Sequence, residues 1–210
     1  MFMSMSNLIR WGAIAAIIAG VVYILGGVSS IPLLTEEGNS WYQGSTFWHL
    51  VEFVGSVALV VGLIGLYLYL RRSPRFGLLG RVGVFLLIVF TTYEAILPLV
   101  AEIAGPAVAE RLDSIGGPLQ ALGKILSTLL FGTAILRAGT LPRAGAWLLI
   151  IAVLVYLSII VSFIVGPEAF ANWGFPVANG LYGLALIALG YGLWSHRSES
   201  IPPARPEPVT

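Results

Sequence analysis

Four ionisable residues lie within or at the edge of strongly apolar stretches of this sequence. Glu52, Glu94 and Lys124 lie inside such stretches, and His49 lies near the end of one. A charge at the centre of a membrane-spanning helix costs about 2.5–3.5 kcal/mol on insertion scales, so such residues normally face other helices and have partners. These four side chains are therefore the first candidates for binding a small molecule or an ion.

Counting along the chain places Glu94 and Lys124 at one depth. Glu94 lies thirteen residues after Arg81, and Lys124 lies thirteen residues before Arg137. At 1.5 Å per helical residue, both lie about 20 Å from the end that carries the arginines. Their two stretches, the third and the fourth, follow one another in the chain, so they should be antiparallel neighbours. We predict an ion pair between Glu94 and Lys124, with Tyr23 at the same level as a hydrogen-bonding third member.

Further polar residues follow helical spacing in the same half of the apolar stretches. His49, Glu52 and Ser56 share one helix face, because their spacing is i, i+3 and i+7. The remaining polar residues of that half fall on the third to sixth stretches: Thr91, Gln120, Ser127, Ser158, Ser162, Asn179 and Tyr182. The opposite halves are nearly free of polar residues. We predict that polarity is concentrated toward the outer side of the membrane.

Two interpretations of this asymmetry stay open. In the first, an outward-opening polar cavity, closed below by apolar side chains, binds a small molecule or ion. In the second, the polar groups only meet interfacial water, and the Glu94–Lys124 pair fixes helix register. The candidate ligand-binding residues under the first interpretation are Glu94, Lys124, Glu52, His49, Tyr23 and Gln120.

The composition indicates a membrane protein, which is why these residues are compared by their depth in a membrane. Of 210 residues, 58% are hydrophobic and 10% are charged, whereas a soluble domain carries about a quarter charged residues. So apolar a surface must face lipid. The formal net charge is +1 and no basic patch with interleaved aromatic residues occurs, so nucleic acid is not an expected partner. The absence of cysteine excludes disulfides and thiolate chemistry.

Six stretches are long and apolar enough to span a membrane, since about 20 residues suffice. We predict an all-α polytopic helix bundle over residues 1–197, with spans at about 11–34, 45–70, 79–101, 116–138, 144–166 and 174–195. Residues 104–119, between the third and fourth spans, are predicted to contain a short surface helix. Residues 198–210 are polar and rich in proline, which predicts a disordered tail.

Basic residues alternate from loop to loop in a way that fixes the expected orientation. Nine arginines fall on one side and Arg111 alone falls on the other; the nine are Arg10, Arg71, Arg72, Arg75, Arg81, Arg137, Arg143, Arg197 and Arg205. Basic loops stay in the cytoplasm. Both termini are therefore predicted to be cytoplasmic.

Several kinds of catalytic chemistry find no support. His49 and His196 belong to opposite sides, so they cannot share a haem or a metal ion. A set of His49, Glu52 and Glu94 lacks the second histidine that zinc sites of this kind usually have. No nucleophile elbow, Walker loop, dinucleotide glycine pattern or HExxH motif occurs. We therefore predict no catalytic residue, no metal and no cofactor.

The turn Gly139-Thr140-Leu141-Pro142-Arg143, between an arginine-ended helix and a long apolar helix, is the most specific motif in the sequence. In this turn, in the opening RWGAIAAIIAGVVYILGG and in its acidic second span, the chain resembles a group of small bacterial six-helix membrane proteins of unknown function. The resemblance implies a bacterial cytoplasmic membrane and supplies no activity.

Three functions remain as expectations. The first is binding or movement of a small molecule or ion that enters from the outer side, with Glu94 as a protonatable group that Lys124 keeps charged. The second is an accessory or scaffolding subunit without a ligand, whose protein partners the sequence does not identify. The third is a membrane-embedded enzyme, which would need a more concentrated set of reactive side chains.

Overall fold

The structure is a computed structural model that describes residues 5–29, 46–165 and 168–195. Its described part consists of six α-helices and one short 3-10 helix, Pro74–Phe76, without strands. The α-helices are α1 (Met5–Ser29), α2 (Thr46–Leu70), α3 (Gly77–Ala104), α4 (Pro106–Ala138), α5 (Arg143–Val165) and α6 (Glu168–Ser195). All six contain segments long and apolar enough to cross a membrane. The chain is a polytopic all-α membrane protein.

The helix bounds differ from the predicted spans mainly at α1 and α4. Helix α1 begins at Met5, and the predicted end of its span at 30–34 lies outside the described residues. The predicted surface helix within 104–119 is instead the first part of α4, which runs unbroken from Pro106. Gly105, with φ of 91°, separates α3 from α4, and Pro106 then starts α4 because the first turn of a helix needs no proline N–H. The predicted tail, 198–210, also lies outside the described part.

The six helices form a closed ring in chain order. Each packs against the helices next to it in sequence, and α1 closes the ring against α6. At one end of the ring, which we call the basic end, Arg10 lies over the Trp194 ring at 5.0 Å and Arg71 approaches Met5. We call the opposite end, where Glu110 and Asp113 lie, the acidic end. A ring of this kind leaves room along its axis unless side chains fill it.

Small residues set the distance between α1 and its two neighbours. A Cβ atom added to Gly12 of α1 would lie 2.5 Å from the Cα of Gly65 in α2, and one added to Gly20 would lie 3.1 Å from the backbone nitrogen of Ile187 in α6. Ala16 between them is fully buried. Such close backbone approach is how membrane helices gain packing without a hydrophobic driving force. Gly12, Ala16 and Gly20 therefore allow α1 to pack closely against α2 and α6.

The basic-end half of the ring is filled by apolar side chains. The 3-10 helix inserts Phe76 between α2 and α4, where its ring meets Phe131 edge-on at 6.5 Å. The fully buried members of this core include Leu59, Leu63, Leu66, Leu70, Leu87, Phe131, Ile135, Leu149, Leu186 and Leu189. The predicted apolar closure below the polar half is present.

We expect Gly139→Ala to lower the free energy of unfolding by about 1–2 kcal/mol. Gly139 ends α4 in the left-handed conformation, with φ of 64°, and its N–H donates to the Ile135 carbonyl at 3.0 Å. A Cβ disfavours that conformation by about this amount. Unfolding in mixed detergent micelles would measure it. Gly139→Asn should cost less, because asparagine tolerates the left-handed region; equal losses for both variants would contradict the explanation.

Candidate functional site

Glu94 of α3 and Lys124 of α4 form an ion pair, as predicted. The Lys124 Nζ lies 2.5 Å from the Glu94 Oε2. The same ammonium donates a hydrogen bond to the Tyr23 hydroxyl of α1 at 3.1 Å. Three helices therefore meet at one charged cluster, and the prediction that these three residues lie at one level is confirmed.

The two partners of the ion pair differ in exposure. The Lys124 side chain is 19% exposed and the Glu94 side chain is 40% exposed. Both line an internal cavity. A carboxylate with this much free surface can accept further hydrogen bonds from water or a ligand while it holds the ammonium.

Aromatic rings surround the charged cluster. The Tyr23 ring lies 4.9 Å from the Tyr182 ring, and the Lys124 Nζ lies 5.3 Å from the centroid of the Tyr23 ring. Across the cavity, the Tyr156 hydroxyl donates to the Asn179 side-chain oxygen, and the Tyr156 ring meets Phe175 edge-on at 6.2 Å. Helices α1, α5 and α6 thus supply an aromatic wall that faces the ion pair from α3 and α4.

The cavity itself has a volume of about 760 Å³. Ligand-binding cavities in proteins commonly measure about 300–1,000 Å³. All six helices contribute to its lining, whose polar and aromatic members are Tyr23, Glu52, Ser56, Tyr93, Glu94, Glu110, Asp113, Gln120, Lys124, Thr128, Tyr156, Phe175, Asn179 and Tyr182. A drug-sized molecule would fit this space.

The mouth of the cavity is acidic. Glu110 and Asp113 are exposed on the first turns of α4 and line the cavity. The Tyr93 hydroxyl of α3 donates to the Leu112 carbonyl at 2.9 Å, and this bond ties the first part of α4 to α3. The described lining contains four carboxylates, the fourth being Glu52, against a single ammonium. Cationic ligands would meet a favourable potential at this entrance.

The deep end of the cavity is nearly sealed. Thr128 and Ser56 line it and are buried. The Tyr182 side chain is 3% exposed, and among the described residues its hydroxyl makes no hydrogen bond that satisfies standard geometry. Leu59 and the apolar core follow immediately toward the basic end. The cavity therefore opens toward the acidic end and is closed toward the basic end.

Most of the side chains selected from the sequence meet in this cavity. Tyr23, Glu52, Glu94, Gln120 and Lys124 all line it. The side chain of His49, the sixth candidate, lies outside the described part of the structure.

Four other polar residues noted in the sequence do not line the cavity. Ser158 and Ser162 donate to carbonyls of their own helix, and so does Ser127. Thr91 is fully buried away from the cavity. The three serine hydroxyls thus bond to the backbone, whereas the Thr91 hydroxyl is buried without a hydrogen-bond partner among the described residues.

Sequence reasoning missed six of the polar and aromatic lining residues: Tyr93, Glu110, Asp113, Thr128, Tyr156 and Phe175. Tyr156 lies thirteen residues after Arg143, so the depth count that found Glu94 would also have found it. Glu110 and Asp113 were missed because their segment was predicted to lie on the surface. Nothing in the sequence singles out Phe175.

Within residues 5–29, 46–165 and 168–195, no group of three or more histidine, aspartate or glutamate side chains is placed to hold a metal ion. The chemistry that the described cavity offers is of another kind: ion pairing, hydrogen bonding from phenol and amide groups, and contact with aromatic faces.

Comparison with known proteins identifies no relative. No protein-family model matches the chain, and no curated protein or solved structure is significantly similar to it. What the chain does is therefore inferred from the cavity and its lining.

Proposed function

We propose that this protein binds a small molecule or ion in the cavity, in the cytoplasmic membrane of a bacterium. The observation that carries the proposal is the cavity of about 760 Å³, lined by polar groups from all six helices. Such a space, with a few converging polar groups among apolar ones, is the usual form of a ligand site.

The ion pair supports binding rather than a purely structural role. Glu52, Glu94 and Lys124 all line the cavity. A pair whose only task is to fix helix register has no need of open space beside it, because buried pairs add little net stability. Here the Glu94 carboxylate keeps 40% of its side-chain surface exposed, which suits exchange of water for ligand.

The acidic end is proposed to face the outside of the cell. Its support is the distribution of arginines, of which nine belong to the basic end by the sequence count and only Arg111 to the other. With this orientation the ligand enters the cavity from outside. The group of bacterial membrane proteins that the chain resembles agrees with this location.

We expect a ligand found by a thermal-shift screen to lose its effect when the cavity mouth is filled. The purified full chain would be screened in detergent against metabolites and ions. A ligand at about 100 times its Kd stabilises by about 2.7 kcal/mol, which a melting curve resolves. Ala121→Trp, on the cavity wall of α4, should reduce affinity at least about tenfold.

Ala107→Trp is the matched control, since Ala107 is exposed on the same helix outside the cavity lining. It should bind as the unmodified chain does. Equal binding by both tryptophan variants would place the ligand elsewhere. A screen without any stabilising compound, together with a larger complex on gentle extraction, would favour the accessory-subunit alternative instead.

A further inference from the structure

We propose that the ligand of this cavity is an organic cation with a substantial apolar part. This inference rests on the proposed binding function and names its substrate class. Three features of the described cavity carry it: the charge at the mouth, the aromatic wall, and the size of the space.

The charge at the mouth favours a cation. Lys124, which is the single ammonium of the described lining, is already engaged by Glu94 at 2.5 Å. Glu110 and Asp113 add two more carboxylates that line the entrance and are exposed. Arg111 lies between them in sequence, but it is exposed and not part of the lining. An anionic ligand would have to pass these two carboxylates and then displace Glu94 from Lys124.

The aromatic wall provides faces on which a cation binds well. Tyr23, Tyr156, Tyr182 and Phe175 all line the cavity. The protein's own Lys124 ammonium already lies 5.3 Å from the Tyr23 ring centroid, within the range of a cation–π contact. Rings of this kind attract quaternary and tertiary ammonium groups, because weakly hydrated cations lose little hydration free energy when they leave water.

The buried Tyr182 hydroxyl is a second polar feature of the deep end. Its side chain is 97% buried, and its hydroxyl lies beside the Thr128 side chain without a hydrogen bond of standard geometry in the described part of the chain. A poorly paired buried hydroxyl costs free energy, which a ligand atom could recover by a small shift of the ring. It would suit a ligand with a polar group remote from its charge.

The size of the space separates an organic cation from a metal ion. A cavity of about 760 Å³ is far larger than a coordination site. The described residues also offer no group of three or more histidine, aspartate or glutamate side chains that could hold a metal ion. The mixture of apolar lining, rings and carboxylates matches an amphipathic cation instead.

Two ions of nearly equal size and opposite charge test this inference directly. Tetraphenylphosphonium and tetraphenylborate would be equilibrated by dialysis with the full chain in lipid nanodiscs, with empty nanodiscs subtracted. We expect saturable binding of the phosphonium ion, at least about tenfold tighter than binding of the borate ion.

Matched substitutions test which residues of the cavity contribute to phosphonium binding. Glu110→Gln with Asp113→Asn should weaken phosphonium binding about fivefold, as expected for two solvent-accessible charge contacts. Phe175→Leu should weaken it about threefold or more through loss of one ring face. Phe85→Leu is the control for the ring, because Phe85 is 66% exposed and outside the lining. Arg111→Gln should leave binding unchanged or slightly tighter.

The outcomes separate this inference from the proposed function. Tighter binding of the borate ion, or unchanged phosphonium binding in the mouth variants and in Phe175→Leu, would overturn the cation inference. If neither ion binds saturably but the metabolite screen yields a ligand that Ala121→Trp excludes, the cation inference is wrong and the binding function stands. If neither ion and no metabolite binds, both are wrong.

Discussion

Replacing Glu94 with glutamine is expected to lower the free energy of unfolding by about 3 kcal/mol. The change leaves the Lys124 ammonium, whose side chain is only 19% exposed, with the Tyr23 hydroxyl as its remaining partner in the described structure. Removing one partner of a buried ion pair costs about 3–5 kcal/mol, because the other charge stays in a poorly solvated place. The low end applies here, since the cavity admits water.

Lys124→Met is expected to lower the free energy of unfolding by about 1–2 kcal/mol, which is less than the loss expected for Glu94→Gln. The charge it leaves behind is the Glu94 carboxylate, which is 40% exposed toward the cavity and can be hydrated there. The double variant should lose less than the sum of the single losses, with a coupling of about 1–3 kcal/mol. Reversible unfolding of the three variants in mixed micelles measures all of these values.

Glu110→Gln is the control for removing a carboxylate from the same cavity. Glu110 is exposed, and surface substitutions of this kind change stability by about 0.5 kcal/mol or less. Additive losses in the double variant would show that Glu94 and Lys124 are not coupled. That result would contradict the ion pair as a stabilising contact.

Gly183→Ala should be the other strongly destabilising change. We expect it to lower the free energy of unfolding by about 2–3 kcal/mol. An added Cβ would lie 2.7 Å from the Ile24 side chain and 3.1 Å from the Ile24 backbone nitrogen, in addition to its contact with the Gly20 carbonyl oxygen. Backbone atoms cannot rotate away, so α1 and α6 must separate. Overpacking of this kind costs about 1–3 kcal/mol.

Gly180→Ala provides the matched control on the same helix. A Cβ at Gly180 would meet no atom within 4 Å, so the substitution should be neutral or stabilising by about 0.5–1 kcal/mol through helix propensity. A similar loss at both positions would show that close packing of α1 on α6 is not what Gly183 provides.

The contact between α1 and α6 also shapes the cavity. Tyr23 and Tyr182 lie next to the residues that pack closely there, and their rings are 4.9 Å apart. Moving α1 away from α6 would separate these rings and loosen the hydrogen bond from Lys124 to Tyr23. Gly183→Ala should therefore also weaken ligand binding, whereas Gly180→Ala should leave it unchanged.

Length, hydropathy and helical rise were enough to predict six helices and the depth of their polar residues. Glu94, Lys124 and Tyr23 were placed at one level by counting residues from arginines, and they are in contact. The reason is that each residue advances a helix by 1.5 Å whatever it packs against. The depth of a residue along its own helix therefore follows from the sequence alone.

Only the tertiary structure decided which side of each helix faces the centre of the ring. Glu110 and Asp113 reach the cavity because α4 continues back to Pro106 and Tyr93 bonds to Leu112. Ser158 lies in the same polar half of α5 as Tyr156, but its hydroxyl donates to a carbonyl of its own helix. Which face of a helix points inward depends on how all six pack together, and residue spacing along one helix carries no information about its rotation against another.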